Sequence, residues 1–156
     1  MAQMIPGDVS HLSADTTSGE KALYKIIKNH TPNNWICYVG QRLSGGTTPD
    51  FILIGPELGL LILEEKNIPL NLIKEFTTET WTVIRNGHPE ETTHPLRQAR
   101  GYIEKSLNSL RRFKRLTDDK GRLKFVAGHG VVLSSISRAE LKDSMQFNIT
   151  SSFTSA

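Results

Sequence analysis

Three residues of this chain have the types and spacing to do chemistry together: Asp50, Glu64 and Lys66. They lie in Pro49–Asn67, PDFILIGPELGLLILEEKN, where two apolar runs, Phe51–Ile54 and Leu60–Leu63, flank the turn-forming Gly55-Pro56-Glu57-Leu58-Gly59. That pattern predicts a β-hairpin. If Ile54 pairs with Leu60, Leu53 meets Leu61 and Asp50 falls opposite Glu64. Opposed side chains in an antiparallel pair have Cβ atoms about 4.5–5.5 Å apart. Two carboxylates that close repel by roughly 3 kcal/mol at an effective dielectric near 20, and a cation relieves the repulsion. Lys66 lies two residues past Glu64 and shares its face by strand alternation. Any one of these residues alone reads equally as a solvated strand end and as part of a site; register and parity together favour a site.

Other elements must hold this hairpin in place. Thr17-Ser18-Gly19-Glu20 opens a helix with Ala22, Leu23, Ile26 and Ile27 at helical spacing, running to about Asn29. Glu20 falls on the inward side with Leu23 and Ile27. It reads equally as a functional carboxylate and as the glutamate of a Thr-x-x-Glu capping box. Trp35–Leu43 predicts a strand, with Trp35 and Tyr38 favoured as core aromatics over base-stacking groups. Trp81–Arg85 predicts a strand ending in an Asn86-Gly87 turn. His94-Pro95 opens a long helix, with proline in the first turn and an apolar stripe of Leu96, Ala99, Ile103, Leu107 and Leu110. On this helix Arg97, Lys105, Arg112 and Arg115 gather opposite the stripe, while Gln98 and Tyr102 fall at its margin. Lys124–Ala127 and Gly130–Ser134 predict two late strands. The first 14 residues read as a leader or linker, 15–140 as the domain, and 141–156 as a polar tail that would lead to a further domain.

The chain has 156 residues and a formal net charge of +3, enough for one core of ordinary size. Its charge is uneven: Met1–Leu96 holds 7 basic and 11 acidic residues, Arg97–Lys124 holds 10 basic and 3 acidic. A basic segment beside an acidic cluster suits a polyanion, although a solvated helix face gives the same asymmetry. Arg111-Arg112-Phe113-Lys114-Arg115 reads as a DNA-facing helix end rather than a localisation signal. One cysteine, Cys37, no signal-peptide pattern and no spanning apolar run predict a cytoplasmic protein without a membrane partner.

With these residues laid out, the chain resembles the NERD (nuclease-related) domain, a branch of the PD-(D/E)XK nuclease superfamily. The resemblance rests on Ser18-Gly19-Glu20, Pro49-Asp50-Phe51, Glu64-Glu65-Lys66-Asn67 and His94-Pro95-Leu96-Arg97-Gln98-Ala99, and runs from about residue 15 to 137. It implies an α/β fold, a three-layer α/β/α restriction-endonuclease-like core with a mixed central sheet, and metal-dependent cleavage of DNA. Asp50 and Glu64 would be metal-binding carboxylates, with the Glu65 backbone carbonyl a further ligand. Lys66 would orient or deprotonate the attacking water, and Glu20 would support the metal through water. Gln98 would position the site, and Gln98-x-x-x-Tyr102 is similar to the QxxxY element of RecB-like exonucleases. Glu65 departs from the usual apolar residue between the glutamate and lysine; its side chain is expected on the opposite face, in helix packing or at a sheet edge. A register slip would make Glu65 the ligand and break the pairing with Asp50; parity with Lys66 favours Glu64.

Oxygen ligands without a His or Cys cluster suit Mg²⁺ or Mn²⁺ rather than zinc. His94 and His129 are expected to be structural. Arg97, Lys105, Arg112, Arg115 and Tyr102 are the expected DNA contacts, and a helicase or other effector is an expected partner; the sequence leaves the oligomeric state open, homo-oligomer included. The alternative is a catalytically silent nucleic-acid-binding module of the same fold that targets a helicase or other partner. A third class, an interaction domain without nucleic acid, predicts no salt-dependent DNA binding.

Overall fold

The computed structural model describes residues 1–43 and 46–143. The chain runs β1 (Gln3–Ile5), α1 (Ser18–His30), β2 (Ile36–Val39), β3 (Phe51–Gly55), β4 (Gly59–Lys66), β5 (Ile73–Phe76), β6 (Thr80–Arg85), β7 (His88–Thr93), α2 (Pro95–Leu110) and β8 (Ala127–Leu133). The hairpin β3–β4 has the register expected from its sequence, Ile54 against Leu60 through Phe51 against Leu63. Gly59 holds its tip: φ is +76°, and a Cβ there would lie 2.0 Å from the Val126 carbonyl oxygen. Only glycine meets both conditions without strain.

Around the hairpin forms a mixed five-stranded sheet in the order β1-β2-β3-β4-β8, antiparallel at β2–β3 and β3–β4, parallel at β1–β2 and β4–β8. Strand alternation divides its side chains between two cores. Phe51 and Leu53 pack with Leu23, Tyr24 and Ile27 of α1, whereas Ile52, Leu60 and Ile62 pack with Ile103 of α2. Helix, sheet and helix form three layers, an α/β fold with a mixed sheet. Each such aliphatic or aromatic side chain contributes about 1.5–3 kcal/mol when fully buried. Trp35 packs against the α1 core and Tyr38 against the α2 core, so neither strand aromatic is a free stacking platform.

The structure corrects several expectations. Residues 1–14 are not a patternless leader, because Gln3–Ile5 adds a parallel edge strand and Ala2 and Met4 are buried. On α1 the buried set is Gly19, Leu23, Tyr24 and Ile27; Ala22 and Ile26 face outward. The strand expected over Trp35–Leu43 is limited to Ile36–Val39, since Gly40 takes φ +61° and turns the chain. Leu96 stays 45 % exposed while Ala99 and Ile103 are buried. The two late strands are one, β8, in which Gly128 and Gly130 accept the side chains of Leu61 and Leu63 at 3.6 and 3.1 Å from where a Cβ would stand. Between β4 and α2 lies a second sheet, β5-β6-β7, closed by the Asn86-Gly87 turn with both residues at positive φ. The tail expected from 141 lies, from residue 144 on, outside the described residues. No helix among the described residues is long and apolar enough to cross a membrane.

Candidate active site

The β3–β4 ladder ends at Phe51 and Leu63, and the next residues outward are Asp50 and Glu64. The Asp50 main-chain N–H donates to Glu64 Oε1 at 3.4 Å, and the Glu65 N–H donates to Asp50 Oδ2 at 2.7 Å. Lys66 Nζ lies 3.0 Å from Glu64 Oε2 and 3.8 Å from Asp50 Oδ2. The Glu64 side chain is 1 % exposed, against 19 % for Asp50 and 22 % for Lys66. All three follow from one register: residues 50, 64 and 66 fall on the α2 face of the sheet at its end.

Burial dominates the electrostatics. It pushes the Asp50 carboxyl up to about 7, and the Glu64 charge adds to that, against the opposing pull of the Glu65 N–H and Lys66. Glu64 is also raised, again first by burial, with Lys66 and the Asp50 N–H working the other way. Glu20 adds a smaller upward push to both. Two acids in a dry site resist carrying both charges, which is the condition a bound cation relieves.

Helix α1 brings Glu20 to this site by its first turn. Thr17 Oγ1 accepts from the Glu20 N–H at 3.1 Å and a Glu20 carboxylate oxygen accepts from the Thr17 N–H at 2.6 Å. The capping box is therefore present, and the same carboxylate lines the cleft above Asp50. Cap and cleft residue are one side chain in two roles. Helix α2 starts at Pro95 with His94 Nδ1 accepting from the Leu96 N–H at 3.2 Å. It turns Gln98 and Tyr102 towards the same cleft, where Gln98 Nε2 donates to Tyr102 Oη at 2.9 Å.

The cleft has a volume of about 900 Å³. Asp50, Lys66, Glu20, Gln98 and Tyr102 line it together, although Glu20 and Lys66 stand 46 positions apart in the chain. Its far wall is the β5–β7 sheet, through Trp81, Arg85 and Thr93. Sequence reasoning found its middle strand, Trp81–Arg85 within β6, but missed β5 and β7. The Asn86-Gly87 turn pointed to a hairpin, but His88–Thr93 is nearly all exposed and has no apolar alternation to mark it as a strand.

Glu65 projects to the α1 face and makes no pair with Lys66. Its Oε2 accepts from Thr17 Oγ1 at 3.2 Å, its Oε1 accepts from Ser134 Oγ, and a Cβ on Gly19 would stand 2.2 Å from it. Asn67, next on the same face, accepts from Ser135 Oγ and donates to Ser18 Oγ at 3.0 Å. Glu65 near the end of β4 and Asn67 just past it thus fasten the start of α1 to the turn after β8, and so set where Glu20 stands.

The basic residues expected at the site are not gathered there. Arg97 is ion-paired with Glu79 and, with His94 and His129, lines a second cleft of about 960 Å³. Lys105, Arg112 and Arg115 are exposed, outside the lining of the main cleft. Among the described residues no group of three or more His, Cys, Asp or Glu could hold a metal ion by itself.

The family model described as the nuclease-related domain (NERD) matches residues 16–133. No curated protein and no solved structure matches the chain.

Proposed function

From the premise that this chain belongs to the nuclease-related domain family, we propose that it hydrolyses DNA phosphodiester bonds with Mg²⁺ or Mn²⁺. One observation carries the proposal: Asp50, Glu64 and Lys66 meet at the end of the hairpin, beside a cleft that Asp50 and Lys66 line together with Glu20, Gln98 and Tyr102.

The donor set fits a hard cation. Asp50 and Glu64 supply carboxylate oxygens, and the Glu65 carbonyl shares the strand edge from which its N–H meets Asp50. Mg²⁺ commonly takes one or two carboxylates and fills its remaining positions with water and phosphate, so two carboxylates and a carbonyl suffice. Asp50, Glu64 and the Glu65 carbonyl would hold the ion, with Glu20 reaching it through water. When bound, such an ion acidifies water and offsets charge on the scissile phosphate. Lys66, hydrogen-bonded to Glu64 in this state, orients the attacking water and offsets phosphate charge. Gln98 and Tyr102 fix the phosphate's neighbours from the α2 side. We assign the context to DNA processing, repair or defence, with a helicase or other effector as partner.

A second reading has an observation of its own. Lys66 Nζ already partners both carboxylates, an arrangement that also suits a silent domain that binds nucleic acid and targets a partner enzyme. Linear, circular and single-stranded DNA incubated with Mg²⁺ or Mn²⁺ separates the two. Cutting by the wild type, lost in Glu64→Gln and Lys66→Ala with binding retained, supports the nuclease. Binding without cutting under either metal leaves the silent module.

A further inference from the structure

The sheet has a second end, away from Asp50. There the α2 face carries an apolar groove of about 380 Å³, lined by Tyr38, Ile54, Leu60, Ser109, Leu110 and Phe113. Two of its apolar side chains are open to solvent, Ile54 at 43 % and Phe113 at 60 % exposed. Around Phe113 stand Arg111, Arg112, Lys114 and Arg115, all exposed. Among the described residues none of these four cations has an ion-pair partner, whereas Arg97, Arg100 and Arg122 each do. An exposed aromatic among unneutralised cations, over an apolar floor, has the chemistry to take a stacked base with its phosphate.

We infer that this groove binds an unpaired, single-stranded segment of the nucleic acid whose backbone enters the main cleft. The inference rests on the nucleic-acid reading above and adds the substrate class. Continuity along α2 supports it. Tyr102 lines the main cleft, Ser106 and Ser109 line the groove at i+4 and i+7 on α2, and Phe113 lines it three residues past the helix's end at Leu110. Such spacing marks one face of a helix. From Gln98 to Leu110 the helix advances about 18 Å at about 1.5 Å per residue, or roughly five nucleotides at a strand rise of about 3.4 Å. A duplex keeps its bases inside and offers this groove only sugar and phosphate. An unpaired strand can place a base on Phe113 and its phosphates against Arg112 and Arg115. The four cations favour this occupant over an apolar peptide, and the link to the cleft favours it over an acidic one.

Fluorescence anisotropy tests the inference on the full chain in EDTA, where cutting cannot interfere. The probes are a labelled oligothymidylate of about twelve nucleotides and a blunt duplex of the same length, within the site sizes seen for single-strand binders. Wild type should bind the single strand more tightly. Phe113→Ala should weaken that binding about tenfold and leave duplex binding unchanged, and Phe113→Trp should restore it. Arg112→Ala with Arg115→Ala should flatten the salt dependence by about two phosphate contacts. Phe113 is outside the core, so unchanged melting of each variant certifies the comparison. Equal binding of the single strand by wild type and Phe113→Ala overturns the inference, as does equal weakening on both probes. A labelled acidic, leucine-containing peptide that binds through Phe113 and is not displaced by oligothymidylate reassigns the groove to a protein partner. A protein that cuts duplex DNA yet shows no Phe113 effect loses the groove and keeps the nuclease. One that binds through Phe113 and never cuts does the reverse.

Discussion

Glu64 is buried to 1 % exposure, and its carboxylate accepts from Lys66 Nζ at 3.0 Å. An ion pair this dry depends on both members, because removing one leaves the other's charge in a low-dielectric site. Asp50, 3.8 Å from the same ammonium, makes the lysine the hinge of the whole cluster.

Lys66→Ala should therefore destabilise the fold as well as any activity. The expected loss is about 3 kcal/mol near neutral pH, read by urea unfolding. Adding Glu64→Gln should recover most of it. A loss that persists in the double variant would mean that Lys66 acts through packing alone.

Asp50→Asn should stabilise the ion-free protein, in a pH-dependent way. The folded protein holds this carboxyl up at about 7, from an ordinary value of 3.8. Its contribution to stability is thus fully present below 3.8 and lost as pH rises through 7. In EDTA, wild type and variant should melt alike near pH 4 and diverge by roughly 4–5 kcal/mol above pH 7, at about 1.4 kcal/mol per pKa unit. Parallel melting curves from acid to alkali would contradict the burial argument.

Mg²⁺ or Mn²⁺ should raise the melting temperature of wild type relative to EDTA. At a hundred times the dissociation constant the gain is about 2.7 kcal/mol. Glu64→Gln should show little of it. An equal shift in the variant would place the ion elsewhere.

Gly19→Ala should loosen the join between α1 and β4. The added methyl meets the Glu65 carboxylate at 2.2 Å, and Glu65 is held by Thr17 and Ser134. We expect a loss of about 1–3 kcal/mol, the range for overpacking a filled site, despite alanine's better helix propensity. Glu65→Ala should relieve the collision in the double variant. Additive effects would rule out the contact.

Cys37 is fully buried, and burial pushes its thiol up to about 12. Disulfide reagents should label it only as the protein unfolds, at a rate that follows global opening. Rapid labelling under native conditions would show that β2 opens locally.

The hairpin and its acidic end were legible in the sequence because a turn-bounded apolar pattern of period two fixes both register and face. Leu53 against Leu61 then places Asp50 beside Glu64 with no further information. Gln98 and Tyr102 could be set on the margin of a helix, but that helix's place on the sheet depends on tertiary packing. Gly128 reads as a break between two strands; it and Gly130 are small because Leu61 and Leu63 occupy the space beside them. Ile26 and Leu96 look like core at helical spacing, yet α1 and α2 each bury a narrower stripe. The β5–β7 wall left little trace, as its outer strand is charged and threonine-rich with almost nothing buried.

That wall departs from the main sheet just after Lys66 and runs into α2 just after Thr93, and both residues line the cleft beside the acidic cluster. A module whose entrance and exit share one doorway can be lengthened, trimmed or exchanged without moving the acids or the lysine. Diversification of what enters the cleft is thereby uncoupled from preservation of the chemistry, and grafting a different β5–β7 segment is the natural place to re-engineer selectivity.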